Sequence, residues 1–427
     1  MRVKTTEKIL AVARIRPFAP LTYNRSLIGS LGDVLSPPYD VIKSSDRLRL
    51  NNKSKWNAVN LDLTSPSDDA PSSTVSAHEE SKHLLDQWIK DKILVQEKTP
   101  TIFILKDHFE FQGTSFSRIG ILCTLKLEAP GSCVLPHEKV LQTPIDDRMK
   151  LIQQTQTHLS PVFFLCQDAT ERIQKTLSAI TQNTKSEHFD SPFPGSSHTL
   201  WSITDSSKID PIVDFFSDQR LLIADGHHRY QTSLLYSQIP ENTSNEEASW
   251  CLAYISFFPS SGFVLSSFHR EVSSTISTEK FVDQMPNSIS VQSIPLDWNT
   301  FEKQSSSLGL ISSDQQSLFT LQPKEDFDLI SDELSLVPSC LLNSLLLNIL
   351  GIDITKKEDQ KTVLYHSDRT SLINSNNPNT LKFWLKPASI HGVYNLAKKG
   401  ITLPPKSTYF FPKVPTGIAF HKIVDTA

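Results

Sequence analysis

Cysteine is scarce in this chain of 427 residues, and scattered where it occurs. The five thiols (Cys123, Cys133, Cys166, Cys251, Cys340) are odd in number, widely spaced and without a C-x-x-C pair. That argues against a disulfide framework or a zinc site and predicts buried free thiols in a reducing compartment. No apolar run approaches the roughly 18 residues of a membrane span. The longest, Leu341 to Leu350, is interrupted by Asn343, Ser344 and Asn348. A secretory apolar region is missing from the amino end, because Ile9 to Ala13 is short and Arg14 and Arg16 close it. Basic excess is missing too: 42 Lys and Arg face 46 Asp and Glu, a net charge of −4, so no global field attracts nucleic acid. The G-x-G-x-x-G turn, the G-x-S-x-G elbow, the H-E-x-x-H helix and repeats of fixed period are all absent. Together these absences predict a soluble cytoplasmic protein without a membrane span and argue against a nucleic-acid partner. They leave the oligomeric state open.

What is present concentrates at 221–236. Leu221 to Ala224 is an apolar run that suits a short buried strand. Asp225-Gly226 ends it, and Tyr230, Leu234 and Leu235 follow at helical spacing. Asp225 suits a helix N-cap, and Gly226 permits a tight turn and a close approach of backbone to ligand. His227, His228 and Arg229 then fall in the first helical turn, an end that already carries partial positive charge. Cations there make sense if an anion sits on them, and phosphate is the usual guest. Adjacent histidines diverge by roughly 100° on a helix, so His227 and His228 are not expected to share a zinc ion.

Three further patches carry candidate chemistry. His137-Glu138 precedes Asp146-Asp147-Arg148 by about ten residues. A carboxylate there can accept a hydroxyl proton, a guanidinium can hold phosphate bidentately, and Asp147 with Asp225 can hold Mg²⁺. Asp146 and Asp147 also suit the first turn of a helix on dipole grounds alone. Near the carboxyl end, Lys406-Ser407-Thr408 follows two prolines and offers a cation and two hydroxyls as an oxyanion cradle. The same stretch also suits a loop entering a strand at Tyr409-Phe410-Phe411. Ser36-Pro37-Pro38-Tyr39-Asp40-Val41 is a rigid turn in which Asp40 is either a site residue or a cap.

Helical and strand patterns interleave without regular βα alternation, which predicts an α+β fold. Strands are expected at 101–105, 109–111, 119–127, 162–165, 251–258 and 262–268, the last two as a hairpin, and near 361–366 and 381–386. Helices are expected at 209–216, 278–284, 338–350 and 388–399. Serine-rich stretches at 64–79, 181–198, 239–248 and 303–317 suit loops. Three regions follow: an N-terminal one (1–130), a core carrying the His-Glu and Asp-Gly-His-His-Arg boxes (131–275), and a C-terminal one closing the site (276–427).

Taken together the patches resemble the bacterial and archaeal group catalogued as domain of unknown function 1015. The matching pieces are Arg16-Pro17-Phe18, Ser36 to Ile42, Leu135-Pro136-His137-Glu138, Asp147-Arg148 and Ser160 to Phe163. They continue with Asp225 to Tyr230, His269-Arg270, Pro405 to Phe410 and Pro412-Lys413. The Asp-Gly-His-His-Arg box looks like the phosphate-binding box of the ParB/sulfiredoxin-like superfamily, to which free-serine kinases belong. The resemblance implies a ParB/sulfiredoxin-like phosphate-binding core. It also implies transfer of a phosphoryl group between a small donor (ATP, ADP or pyrophosphate, with Mg²⁺) and the hydroxyl of free serine or a similar metabolite. In that scheme Gly226, His227, His228, Arg229 and Arg148 hold donor phosphates, and Asp225 and Asp147 hold Mg²⁺. Glu138, beside His137, takes the serine proton, while Lys406, Ser407 and Thr408 close on substrate carboxylate or donor phosphate. Five positions depart from the family pattern: Val140 for threonine, Ile145 for lysine, His158 for asparagine, Phe268 for threonine and Leu342 for histidine. Each removes or alters a polar group, so a non-catalytic nucleotide or phosphometabolite sensor is the alternative reading.

Overall fold

The apolar runs at 102–126, 162–167, 221–225 and 250–258 all enter one sheet. The computed structural model describes residues 12–63, 76–259, 262, 264–324, 337–354, 356 and 358–423. The chain forms two units, both discontinuous in sequence. Unit 1 comprises Met1–Pro136, Val140–Phe263 and Pro412–Ala427, and unit 2 comprises His137–Lys139 and Val264–Phe411. The fold is α+β, as expected. Among the described residues no helix is long and apolar enough to cross a membrane.

The unit 1 sheet runs in the order Val134–Leu135, Leu221–Asp225, Val162–Gln167, Trp250–Phe258, Thr114–Lys126, Ile102–Phe111, Ser196–Ile203, Ser186–Asp190. Ile15–Arg16 pairs antiparallel with Thr114–Lys126. Two pairings are parallel, Leu221–Asp225 with Val134–Leu135 and Trp250–Phe258 with Val162–Gln167. All five residues of Leu221–Asp225 are buried, which is why its first four, Leu221 to Ala224, are continuously apolar and do not alternate. Cys123, Cys166 and Cys251 join Ile121, Phe164, Ile223 and Ile255 in its core, and all five cysteines are free thiols.

Several local expectations change. The segments 101–105 and 109–111 are one strand, turned into Thr114–Lys126 by Gln112 (φ 51) and Gly113 (φ 76). Two left-handed residues make the hairpin turn whose twist matches its strands. Serine-rich 181–198 contains a strand, Ser186–Asp190, which tolerates its serine and charge because it lies at a sheet edge and buries only Phe189. Within 303–317, Leu308–Ile311 is a buried strand. The stretch 239–248 contains the short 3-10 turns Pro240–Asn242 and Glu247–Ser249, and 64–75 lies outside the described residues. Strand 250–258 has no hairpin partner in 262–268, since Val264–Ser266 pairs with Tyr409–Phe411 in unit 2.

Asp107 braces the unit 1 sheet from within. It sits opposite His198 on one neighbouring strand and opposite Arg118 on the other. Its Oδ1 lies 2.8 Å from His198 Nδ1, and its Oδ2 accepts Arg118 Nε–H at 2.7 Å and Tyr254 O–H at 3.2 Å. His198 Nε2 reaches Ser191 Oγ at 2.9 Å, so Ser191, His198 and Asp107 line up as in a hydrolytic triad. The likeness stops there. Ser191 is buried, its Oγ accepts the Phe193 N–H, and Asp107 is committed to the Arg118 guanidinium.

Unit 2 is an antiparallel sheet in the order Ile289–Pro295, Ser317–Pro323, Leu308–Ile311, Thr380–Leu385, His269–Ser273, Val363–His366. The Pro338–Leu350 helix supplies Leu341, Leu342, Leu345 and Leu346 to its core, against Leu308, Leu310, Leu381 and Phe383.

Candidate functional site

In unit 1 the candidate residues gather where Leu221–Asp225 turns into the His227–Ser237 helix. Gly226 makes that turn at φ 89, and a Cβ there would come within 3.0 Å of the Arg229 guanidinium. The pairing with Val162–Gln167 slips by one residue between Ile223 and Asp225. A bulge of this kind re-aims a side chain. Asp225 is therefore not the helix cap expected from sequence: Gly226 occupies the N-cap position, without a side-chain bond. Its carboxylate lies between cations, with Lys413 Nζ on Oδ1 and Arg229 Nη2 at 2.7 Å on Oδ2.

The other members of the box divide. Arg229 donates through Nη1 to the Pro161 carbonyl, and burial of its guanidinium is more than offset by Asp225 and Asp40, which hold it charged. His227 is buried. His228 Nε2 accepts the N–H of Leu141, the N-cap residue of the Gln142–Thr155 helix, so this imidazole secures a neighbouring helix start. With Nε2 as acceptor, the proton of the neutral ring sits on Nδ1.

Arg148 comes to the same place from the Gln142–Thr155 helix. Its Nη1 donates to the Asp62 carbonyl at 2.8 Å and to Asp62 Oδ1 at 3.1 Å, while Nε and Nη2 hold Asp147 Oδ2 at 2.9 and 2.6 Å. The Tyr39 ring lies against the guanidinium, 3.9 Å from its carbon. Burial pushes the Tyr39 hydroxyl up, with Asp40 adding to the effect. Ser160 donates to Asp62 Oδ2 and meets Thr416 Oγ1 at 2.6 Å. Asp62, Arg148, Ser160, His158, Arg229 and Ser233 line one cleft of about 40 Å³. A water needs roughly 10–15 Å³ by the same kind of measure, so the cleft is on the scale of a single oxyanion group. Arg148 and Arg229, separated by eighty residues of chain, are thus brought together.

The two acids expected to hold Mg²⁺ do not fit that role. Asp147 Oδ1 meets His78 Nε2 at 3.0 Å, and its Oδ2 is taken by Arg148. Burial raises its carboxyl, but the Arg148 guanidinium outweighs that and holds it below the usual range. Asp225 has a cation on each oxygen. Among the described residues no group of three or more His, Cys, Asp or Glu is arranged to hold a metal ion.

His137, Glu138 and Lys406–Thr408 belong to unit 2. Leu403 pairs with this short visit of the chain, donating its N–H to the His137 carbonyl at 2.7 Å and accepting from Lys139 N–H at 3.3 Å. The polar groups of Lys406–Thr408 converge on Glu138. Glu138 accepts the N–H groups of Lys406, Ser407 and Thr408 at 3.2, 3.1 and 3.1 Å, and the Thr408 hydroxyl at 3.0 Å. Since that hydroxyl gives its proton to Glu138, His137 Nε2, 2.7 Å from Thr408 Oγ1, is the donor to it. Behind the cradle Arg270 donates to the carbonyls of Lys406 and Phe268, each at 2.6 Å, and burial pulls its guanidinium down to about 10.

Sequence reasoning missed Asp62, which no motif marks. It also left Tyr39, Ser160, Arg270 and Lys413 as matching positions without roles. Placing them needed the cleft and the cradle, because each acts through a partner far away in sequence.

The family described as "Protein of unknown function (DUF1015)" matches residues 15–345. The chain belongs to that family. Among solved structures it is similar to a free serine kinase in complex with ADP (TM-score 0.39, 11% identity, 70% of this chain and 92% of that one). It is also similar to a conserved hypothetical protein from Pyrococcus furiosus (0.37, 13%, 70% and 94%). A third is C-terminally truncated SbnI from Staphylococcus aureus (0.38, 9%, 70% and 89%). No curated protein matches the chain. The DUF1015 match contains Asp62, Arg148 and the whole Asp225–Arg229 box, whereas Lys406–Thr408 and Lys413 lie beyond it. Of the five departures, Ile145 and Leu342 are buried apolar residues and Val140 is exposed. His158 lines the cleft, and Phe268 packs edge-on against Tyr409, with Lys406 Nζ 5.4 Å from its ring.

Proposed function

We propose that the protein is a small-molecule phosphotransferase whose unit 1 cleft holds a phosphate of the donor, ATP, ADP or pyrophosphate. The acceptor is the hydroxyl of free serine or a similar metabolite. One observation carries the reading: Arg148 and Arg229 line a cleft the size of a single oxyanion. Phosphoryl transfer asks chiefly for positioning and for cations around the moving group. Arg148 is oriented by Asp62 and Asp147, and Arg229 by Asp225 and the Pro161 carbonyl, so both guanidiniums are held at one place before a ligand arrives. Gly226 leaves the backbone bare at the helix start, and Lys413 on Asp225 gives the box a net positive charge. Glu138 is the candidate base, with His137 behind it through Thr408. No step is assigned to a metal ion, because Asp225 and Asp147 do not fit one.

Incubation with serine and each of the three donors is expected to yield phosphoserine, or the reverse from phosphoserine and the dephosphorylated donor. No product with any donor in either direction would sink the enzymatic reading. Arg229→Ala is expected to weaken donor binding by about 2 kcal/mol, the order for a charge-assisted bond. Calorimetric titration of the donor checks this; unchanged affinity would show that the box does not grip phosphate. The sensor reading rests on a separate observation, the capture of Glu138 by the cradle, and predicts donor-dependent thermal stabilisation without turnover.

A further inference from the structure

We infer that the Lys406–Thr408 backbone is an oxyanion-binding site of unit 2 and that Glu138 is its built-in competitor, which an incoming carboxylate or phosphate displaces. Three successive N–H groups and one hydroxyl converge on a single carboxylate within 3.0–3.2 Å. Consecutive amides pointing one way form an anion-binding concavity, and the group now in it is already an oxyanion.

The concavity is built at a conformational cost. Lys406 has φ 58, a left-handed backbone that a lysine adopts reluctantly and a glycine adopts freely. Arg270 holds it there by donating to the Lys406 carbonyl. That guanidinium is 1% exposed, and among the described residues no carboxylate lies within ion-pair distance of it. A buried cation without a contacting counter-charge is costly, and the negative charge held in the cradle, now that of Glu138, reduces that cost. Ser407 is fixed by its bonds to the Pro404 carbonyl and Ser339, so the cradle keeps its shape without Glu138.

The backbone around Glu138 is tied down independently of its carboxylate. Its side chain is 16% exposed, and the bonds that hold 137–139 to Leu403 are all between backbone atoms. Removal of the carboxylate therefore turns a self-occupied cradle into an open one. This inference touches the proposed reaction at one point: a ligand oxyanion in the cradle would release Glu138, the candidate base, only when acceptor is bound.

The test is binding, independent of turnover. The full chain is titrated calorimetrically with inorganic phosphate and, separately, with acetate, in an Arg229→Ala background that removes the unit 1 contribution. Adding Glu138→Ala is expected to tighten phosphate or acetate binding by at least about tenfold, and adding Thr408→Val to reverse much of that gain. A gain with phosphate alone identifies a phosphoryl ligand, and a gain with acetate as well identifies a carboxylate-sized one. Glu138→Gln guards against loss of folding, since its amide fills the cradle more weakly and should give a smaller gain. If neither Glu138 variant binds either anion better than its parent, the inference is wrong.

Discussion

Replacing Asp107 by alanine is expected to destabilise unit 1 by about 3–5 kcal/mol, the range seen when one partner of a buried ion pair is removed. The carboxylate is 1% exposed and serves Arg118, Tyr254 and His198 at once. Burial pushes its carboxyl up, but Arg118 and His198 outweigh that and hold it ionised. Without it, Arg118 keeps one bond to the Pro412 carbonyl and ring contacts with Phe163 and Tyr254, and its charge is left uncompensated in the interior. The loss should come from the stranded guanidinium more than from any attraction forgone. Asp107→Leu combined with Arg118→Met should therefore recover most of the stability that either single change loses. Urea unfolding followed by a unit 1 probe such as Trp201 measures both. A loss below about 1 kcal/mol for the alanine variant would mean that water or a neighbour compensates the cation.

Much of this arrangement was legible in the sequence, and what escaped has a common cause. The strand and helix around Gly226 follow from an apolar run, a turn residue and helical spacing, all local. So do Pro161 before its strand and the Pro338–Leu350 helix. Asp225 as a cap was the locally sensible assignment. It fails because a one-residue bulge turns the carboxylate toward Lys413, 188 positions away. Glu138 looked like an available base because its partners lie 268 to 270 residues downstream. The two-unit division was hidden for the same reason, since three residues, His137–Lys139, leave one unit for the other and return. The Asp107 brace had no local sign either, because its members are spread over four strands and meet only through sheet register.

Acidification is the second large effect. His158 and His421 stack in unit 1 with ring centroids 5.5 Å apart and planes within 2°. Burial lowers His158 from 6.5 to about 4, against a bond from its ring to the Trp250 carbonyl that works the other way. Burial, then His158 and Arg16, keep His421 well below its ordinary value, with Glu247 3.5 Å away as the facing acid. Both rings are neutral when folded, while the unfolded chain takes up protons near 6.5. The stability they permit is complete above that pH and is lost as pH falls from about 6.5 toward 4. For His158 alone the loss is about 3 kcal/mol at 1.36 kcal/mol per pKa unit. Carboxylates add an acid slope of their own, so the informative quantity is the difference between two proteins. His158→Asn should flatten the dependence between pH 6.5 and 4.5. Chemical denaturation at several pH values would show parallel curves for the two proteins if the histidine pair carries none of the acid sensitivity. Converging curves, with the variant less stable at neutral pH and overtaking near pH 5, would show that the stacked pair sets the acid limit of the cleft it borders.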